Sequence, residues 1–488
     1  MDNPVHRITR RPRGLPPALR TLPQAHTRRD ALIEMLSAAI AEDALPVELP
    51  LPSCRDLAVA HGLSKNTVQA AYDRLVDIGL VTAKAKSGYF VAAARRSEPS
   101  GTSGASIRST LILPDPRPST MPRVRHPENW QTSPFPFVYN QIDPSLFPID
   151  AWRECSRLAL ARKGLNALTA DDEAGDNPHL LVQLRKRLLA HRGIAVTESE
   201  IMVTLGTQNA IALTGMMMRS LLGTIVVEDP GYPDARNAFG MTGNAVVPVP
   251  VDAEGLIVDL IPRDCKLVHV TPSHQFPTSV TLSLARRRRL LELAEAHGFM
   301  VLEDDYEADL EPENSLPTLR SLDRSGRVIY ASSLSKTLSP GLRLGFMVAP
   351  TDIIVEAKAL RHAILRHAPT QLQETAALFI GLGHYDAHLR QLSREMARRR
   401  DAMGKGIAKH LPMFRTGACS AGSSFWLQGP DGFDSEALAT SLVPEGVVFD
   451  PGRIFFSNGR RKEFLRLGFA AIDPGKIDEG LRRIAIAM

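Results

Sequence analysis

Lys336 lies in Ser332-Ser333-Leu334-Ser335-Lys336-Thr337-Leu338-Ser339-Pro340-Gly341-Leu342-Arg343, directly after the apolar run Val328–Ala331. A lysine flanked by the Ser333 and Ser335 hydroxyls, with the Arg343 guanidinium close behind, suits an aldehyde cofactor that carries a phosphate. The amine forms a Schiff base with the aldehyde, and the hydroxyls and guanidinium bind the phosphate. Three more apolar runs end in polar residues. Thr224–Val227 leads to Glu228-Asp229-Pro230-Gly231-Tyr232, Leu267–Val270 to Thr271-Pro272-Ser273-His274, and Phe299–Leu302 to Glu303-Asp304-Asp305-Tyr306. A carboxylate such as Asp304 keeps a pyridine nitrogen protonated, Tyr306 can bond a ring hydroxyl, and Tyr232 can stack on the ring. Gly206-Thr207-Gln208 precedes an apolar helix, whose N-terminus is a phosphate site. Singly each feature is weak, since a lone Ser-x-Lys is usually surface and an Asp after a strand is often a helix cap. The ordered set is a much stronger signal.

These residues need elements to bring them together. From about residue 131 onward, short apolar runs alternate with longer helical segments, which predicts an α/β domain with a mostly parallel central sheet. Ligands in such sheets sit beyond the carboxyl ends of the strands, so the four polar clusters are expected to converge. At 488 residues the chain is also too long for one ordinary core. Residues 93–130, rich in Ser, Thr, Pro, Gly and Arg, read as a linker. Ahead of it, residues 27–92 read as a separate head, and residues 1–26 as a basic arm.

The head has three helical stretches. Residues 27–44 carry Leu32, Ile33, Leu36 and Ile40 at helical spacing, Ser53 caps a second helix ending at Gly62, and Ser64 caps a third. Leu80–Val91 then alternates like a hairpin with Lys84, Lys86 and Gly88 near its turn. Lys65, Asn66, Thr67 and Gln69 at the start of the third helix suit base edges and phosphates of a major groove, with Lys84 and Lys86 reaching a backbone. Residues 1–29 carry seven Arg against one acid, Asp2. That arm either tracks phosphate or is simply a basic tail.

No apolar run is long enough to span a membrane and the Arg-rich start is unlike a secretory signal. Cys54, Cys155, Cys265 and Cys419 are scattered singly, without disulfide or metal-site spacing. The expectation is a cytoplasmic protein with no metal site.

Leu51–Val91, with its Pro-Ser-x-Arg-x-Leu-Ala start, Ser-Lys-x-Thr-Val core, Ala-Tyr-x-x-Leu stretch and Gly-Tyr-Phe-Val end, resembles the GntR-type winged helix. That resemblance implies that Arg55, Ser64, Lys65, Asn66, Thr67 and Gln69 face double-stranded DNA. The wing departs from it, with Lys84 and Lys86 where the family often has Arg and a second Gly. The body order Gly206-Thr207-Gln208, Asp304/Tyr306, Lys336 and Arg343, with "PSLFPIDAWR" and "FLRLGFAAID" near its ends, resembles fold-type I aminotransferases over about 131–488. Head and body together resemble the MocR/GabR regulators. The resemblance implies pyridoxal 5′-phosphate (PLP) on Lys336, Asp304 at the pyridine nitrogen, Tyr306 at the ring hydroxyl, Ser333 and Arg343 on phosphate, and Tyr232 stacked. Arg466 would grip an effector carboxylate, with Arg453 as a competitor.

Two departures stand out. Gln275-Phe276-Pro277-Thr278-Ser279 replaces the Asn that aminotransferases carry before Pro-Thr-Gly, leaving the ring contact missing or taken over by His274 or Gln275. Ala170-Asp171-Asp172-Glu173 contains no Tyr where aminotransferases tend to place one reaching the partner subunit. The expected function is therefore PLP-dependent regulation of transcription, with an amino compound or PLP itself sensed through an aldimine, and not enzymatic turnover. GABA, taurine and ectoine derivatives are candidate effectors by the resemblance, as are a homodimer with each head crossing to the partner's body and an operator of two half-sites. The alternatives are an active aminotransferase tethered to DNA and a PLP-independent repressor with a vestigial body.

Overall fold

A computed structural model describes residues 15–23, 25, 27–45, 49–84, 87–92, 117–138, 141–161, 169, 176–307, 316–417 and 422–488. Lys86, Cys419, most of the basic arm, residues 93–116 of the expected linker and the 170–173 stretch lie outside these. The chain divides into two compact units, Met1–Ile112 and Leu113–Met488.

In the first unit, helices α1 (Arg28–Ala41), α2 (Cys54–His61) and α3 (Lys65–Asp77) are followed by a hairpin of β1 (Val81–Lys84) and β2 (Gly88–Val91). Each helix starts where a hydroxyl can take an orphan amide: Thr27 accepts from Asp30 N, Ser53 from Asp56 N and Ser64 from Thr67 N. Gly62, at φ 62°, ends α2 in a left-handed turn and so sets the tight α2–α3 connection. Leu32, Leu36, Leu57, Val68, Tyr72 and Leu75 are wholly buried among the three helices. Tyr72 stacks on Tyr89 at 4.3 Å and donates its hydroxyl to Pro52 O at 2.7 Å, tying α3 to the hairpin.

The second unit is built on an eight-stranded sheet, order β4-β11-β10-β9-β8-β5-β6-β7. The strands are β4 (Ile201–Thr204), β5 (Thr224–Asp229), β6 (Ala245–Asp252), β7 (Gly255–Leu256), β8 (Cys265–Val270), β9 (Met300–Asp304), β10 (Val328–Ser333) and β11 (Gly345–Val348). Strands β10, β9, β8, β5 and β6 run parallel, while β11 is antiparallel to both of its neighbours. Helices cover both faces, which is why β8 and β10 are buried at every position, even at Lys266, His269, Ser332 and Ser333. A smaller sheet, β12-β13-β15-β14-β3, contains β3 (Phe135–Phe137), β12 (Arg415–Thr416), β13 (Ser424–Gln428), β14 (Val447–Pro451) and β15 (Phe464–Gly468). It packs with the long helix His384–His410 around Phe137, Leu427, Leu465 and Leu467.

Part of the stretch expected as linker is docked on this unit. Asn237 Nδ2 donates to Pro122 O at 2.7 Å, Val124 packs on an aromatic cluster of Phe276, Trp426, Phe455 and Phe456, and His126 Nε2 lies 3.0 Å from Asp450 Oδ1. The composition reads as linker because few residues here are apolar; the anchors described are one backbone carbonyl, one valine, one imidazole and the Arg123 charge acting on Asp234. Among the described residues no helix is long and apolar enough to cross a membrane, and no cluster of metal-ligating residues occurs.

Candidate functional site

At the carboxyl ends of the parallel strands lies a cavity of about 510 Å³, open on one side. Thr207, Gln208, Tyr232, Asp304, Tyr306, Ser333, Ser335, Lys336 and Arg343 line it, together with Thr271 and Phe276. The strand-end argument thus brings nine of the residues picked from the sequence to one place.

Strand β9 explains why one carboxylate of three faces the cavity. Glu303 points the other way and accepts from Leu319 N and Arg320 N at 2.9 and 2.8 Å, starting the short helix Leu319–Leu322. Asp305, past the strand end, takes a buried ion pair from Arg192 at 2.6 Å and the Tyr330 hydroxyl at 2.9 Å. Asp304 is left facing the cavity, 3% exposed, with His269 Nε2 3.6 Å from its Oδ2 and no hydrogen-bond partner for Oδ1 among the described residues. A buried carboxylate oxygen without a partner is costly unless a ligand supplies one.

Strand β10 delivers Ser333, and the turn beyond it Ser335 and Lys336. Ser335 Oγ is buried with no hydrogen-bond partner among the described residues. Burial pushes the Lys336 ammonium down to about 8; Glu307 opposes the shift, Arg466 adds to it, and Asp304 and Asp450 oppose it more weakly. Lys336 Nζ stands 5.6 Å from the Tyr306 ring centre. Arg343 follows the turn Pro340–Leu342 with φ 49° and donates to Leu205 O at 2.8 Å. That guanidinium lies against Gly206, where a Cβ would meet Arg343 Nη2 at 3.2 Å and where φ is +85°. Gly206 thereby lets the N-terminus of the helix Thr207–Met218 open onto the cavity beside Arg343. Gln208 donates to Asp234 O at 3.1 Å, and its buried Oε1 has no hydrogen-bond partner among the described residues.

Tyr232 stands edge-on to Phe276 at 5.4 Å, with its hydroxyl 3.4 Å from Asp234 Oδ2. His274 is not among the lining residues; it is buried, beside Gly422. Gln275 is taken up by its own turn and by the loop after β5, donating to Phe276 O and Pro230 O and accepting from Thr278. Neither takes the place expected for the missing Asn. Thr271, named in the sequence only as the first residue of its polar cluster, and Phe276, which was not picked, line the cavity instead.

The two candidate arginines separate. Arg453 is a surface residue whose Nε pairs with Glu436 at 2.8 Å, so its expected role at the effector is not carried by its position. Arg466, on β15, is 2% exposed, lies over the Phe276 ring at 5.2 Å and pairs with Asp450 at 3.3 Å. A second cavity of about 360 Å³ reaches Lys336 from another side and includes Gln141, Glu307 and Ser423.

On the head, Arg55, Ser64, Lys65, Asn66 and Lys84 are exposed and Thr67 is half-buried. Thr67 Oγ1 sits 2.8 Å from Ser64 Oγ, so both hydroxyls serve the helix start. Gln69 is not displayed with Lys65 and Asn66: its amide nitrogen bonds Asp73 at 3.0 Å and the Tyr89 hydroxyl, while its oxygen accepts from Cys54 Sγ. Lys84 lies 4.5 Å over the Phe90 ring.

Comparison with known proteins agrees with this geometry. Residues 28–91 match the family of bacterial regulatory proteins of the gntR type, and residues 152–484 match aminotransferase class I and II. The HTH-type transcriptional regulator TauR of Rhodobacter capsulatus is 41% identical over 90% of this chain and 92% of its own length. MocR of Rhizobium meliloti is 30% identical over 93% and 92%. Among solved structures, LysN, an α-aminoadipate aminotransferase of Thermus thermophilus, superposes with a TM-score of 0.66 at 28% identity, covering 72% of this chain and 91% of that one. With a winged-helix head and an aminotransferase body on one chain, and regulators of both parts aligned along nearly its whole length, the chain belongs to the MocR-type transcriptional regulators.

Proposed function

We propose that this regulator binds operator DNA through α3 and its hairpin, and that an amino compound or PLP, held in the body, sets that binding. The observation that carries the reading is a cavity lined both by a lysine lowered to about 8 and by a buried carboxylate with one oxygen that has no hydrogen-bond partner among the described residues, beside a helix N-terminus and an arginine. That donor set fits PLP. Lys336 would hold it covalently, Asp304 its ring nitrogen, Tyr306 its ring hydroxyl, and Thr207, Gln208, Ser333, Ser335 and Arg343 its phosphate, with Tyr232 against the ring. PLP supplies a carbonyl for which amines compete and a ring that takes up electrons. The burial that lowers Lys336 to about 8 raises its share of neutral amine near neutrality far above that of an ordinary lysine and so prepares it as a nucleophile. An amino compound would compete with Lys336 for that carbonyl, and Arg466 would receive its carboxylate or sulfonate. The Lys336 link and the Arg466 contact then differ between effector-free and effector-bound forms, which is the differential interaction a switch needs. On the head, Arg55, Lys65, Asn66 and Lys84 present charge and amide groups to a groove. A homodimer on two half-sites completes this reading.

Absorption of the purified protein before and after borohydride, with peptide mapping, tests the cofactor: a visible band replaced by a pyridoxyl adduct on Lys336 is expected, and an adduct elsewhere refutes the assignment. A second reading, an aminotransferase carried on a DNA-binding head, draws on the same lowered lysine, since such a group can also move a proton. Keto-acid formation from an amine and an acceptor acid separates the two.

A further inference from the structure

We propose that Asp450 and His126 turn Arg466 into a displaceable clamp, through which an anionic group on the effector loosens the strap at residues 121–130. This rests on the reading of Arg466 as the effector's anion receptor. Asp450 and Arg466 are directly paired positions of β14 and β15, 1% and 2% exposed. The two oxygens of Asp450 serve two partners: Oδ2 meets Arg466 at 3.3 Å and Oδ1 meets His126 Nε2 at 3.0 Å. The ring of His126 in turn lies 5.9 Å from that of Trp130. A carboxylate or sulfonate that reaches Arg466 takes up donors Asp450 now shares and sets a like charge beside a buried one, so Asp450 must give way. His126 is the other group it holds.

Among the described residues few other contacts hold the strap. Val124 and His126 face inward while Arg123 and Arg125 between and beside them are exposed. Besides His126, the anchors described are Pro122 O on Asn237, Val124 on the cluster of Phe276, Trp426, Phe455 and Phe456, and the Arg123 charge acting on Asp234. Phe276 is also a wall of the cofactor cavity, so a ligand there touches the footing of Val124 as well. In sequence the strap continues into the segment that joins body to head. The ligand class follows from the clamp: an amine with a carboxylate or sulfonate on a short chain, not an uncharged amine.

Arg123 and Arg125 make the strap readable by trypsin. The PLP-loaded, full-length protein is treated with taurine, GABA or propylamine, and cutting at these two sites is followed by mass spectrometry alongside the visible band. Taurine or GABA should speed cutting about tenfold, the scale expected when a charge-assisted hydrogen bond is lost, and propylamine should not. His126→Ala should be cut fast without any probe. Asp450→Asn should bring half-saturation of the visible band to about tenfold lower probe, because the competing carboxylate is gone; if that variant is insoluble, Asp450→Glu should restore a response like that of the unaltered chain. A band that responds to the anionic probes with strap cutting unchanged, or with propylamine as effective as they are, overturns the clamp and leaves amine sensing intact. A band that ignores all three overturns amine sensing and the clamp with it.

Discussion

Capture of PLP by the cofactor-free protein should follow the protonation of Lys336, because only the neutral amine attacks a carbonyl. Burial lowers this group from 10.5 to about 8. At about pH 7.5 an ordinary lysine is neutral in about one part in a thousand, and one at about 8 in about a quarter, a gain of about 200-fold in reactive amine. Of the charges acting on it, Glu307 is the largest and stabilises the ammonium. Glu307→Gln removes that stabilisation and should move the midpoint further below 8. A fall of about one unit would raise capture at about pH 7 about fivefold. The amide can keep the bond from Ser423 that the carboxylate now accepts. Stopped-flow absorbance of the visible band, from about pH 6 to about 10 with PLP in fixed excess, measures the profile. A midpoint near 10 in the unaltered chain, or one that rises in Glu307→Gln, refutes the electrostatic account of the site.

Three further outcomes are expected. The cofactor-free protein should gain stability as pH rises from about 8 to about 10.5, since the unfolded chain binds the proton that buried Lys336 sheds; the swing is about 3 kcal/mol, lost again as pH falls through 8. Lys336→Met should flatten that slope in urea melts, and an unchanged slope would place the titration elsewhere. Gly206→Ala forces a Cβ at φ +85° against Arg343 Nη2 and should cost about 1–3 kcal/mol. It should also weaken PLP retention about tenfold on dialysis through the displaced guanidinium; full retention would remove Arg343 from the phosphate site. Lys65→Ala with Asn66→Ala should weaken binding to the upstream DNA and lower the salt slope by about one, read by fluorescence anisotropy, while PLP content stays the same. Equal binding would mean that α3 is not the reading helix.

What was legible in the sequence was whatever depends on local pattern. Apolar runs bounded by polar residues located β5, β8, β9 and β10, and the rule that strand ends converge then gathered Tyr232, Asp304 and Lys336 without any contact being known. Ser53, Gly62 and Ser64 marked the helix limits of the head because caps are made by neighbours three or four residues away. Non-local partners were not legible. Helical spacing puts Gln69 near Lys65 and Asn66, yet Tyr89, twenty residues on, draws its amide inward. His126 reads as one polar residue in a linker, and its partner is 324 positions away. Thr271 and Asp450 did carry a signal: both follow apolar runs as the picked residues do, Asp450 just ahead of Pro451-Gly452. Phe276 carried none, since an aromatic in a Gln-Phe-Pro turn has no periodicity to announce it.

The place of Asp450 bears on why such a body should serve as a sensor. An arginine that only has to hold a substrate carboxylate works best with its donors free and its charge uncompensated, so that binding costs nothing but desolvation. Here the guanidinium is almost fully buried, already matched by a carboxylate, and that carboxylate is shared with an imidazole outside the sheet. A ligand anion therefore binds more weakly than it would to a free arginine, and the free energy it forgoes is spent on breaking a contact that belongs to the rest of the chain. Lost affinity of this kind is the coupling free energy itself: the larger the competition at Arg466, the more firmly the strap is held without effector and the more its release depends on one.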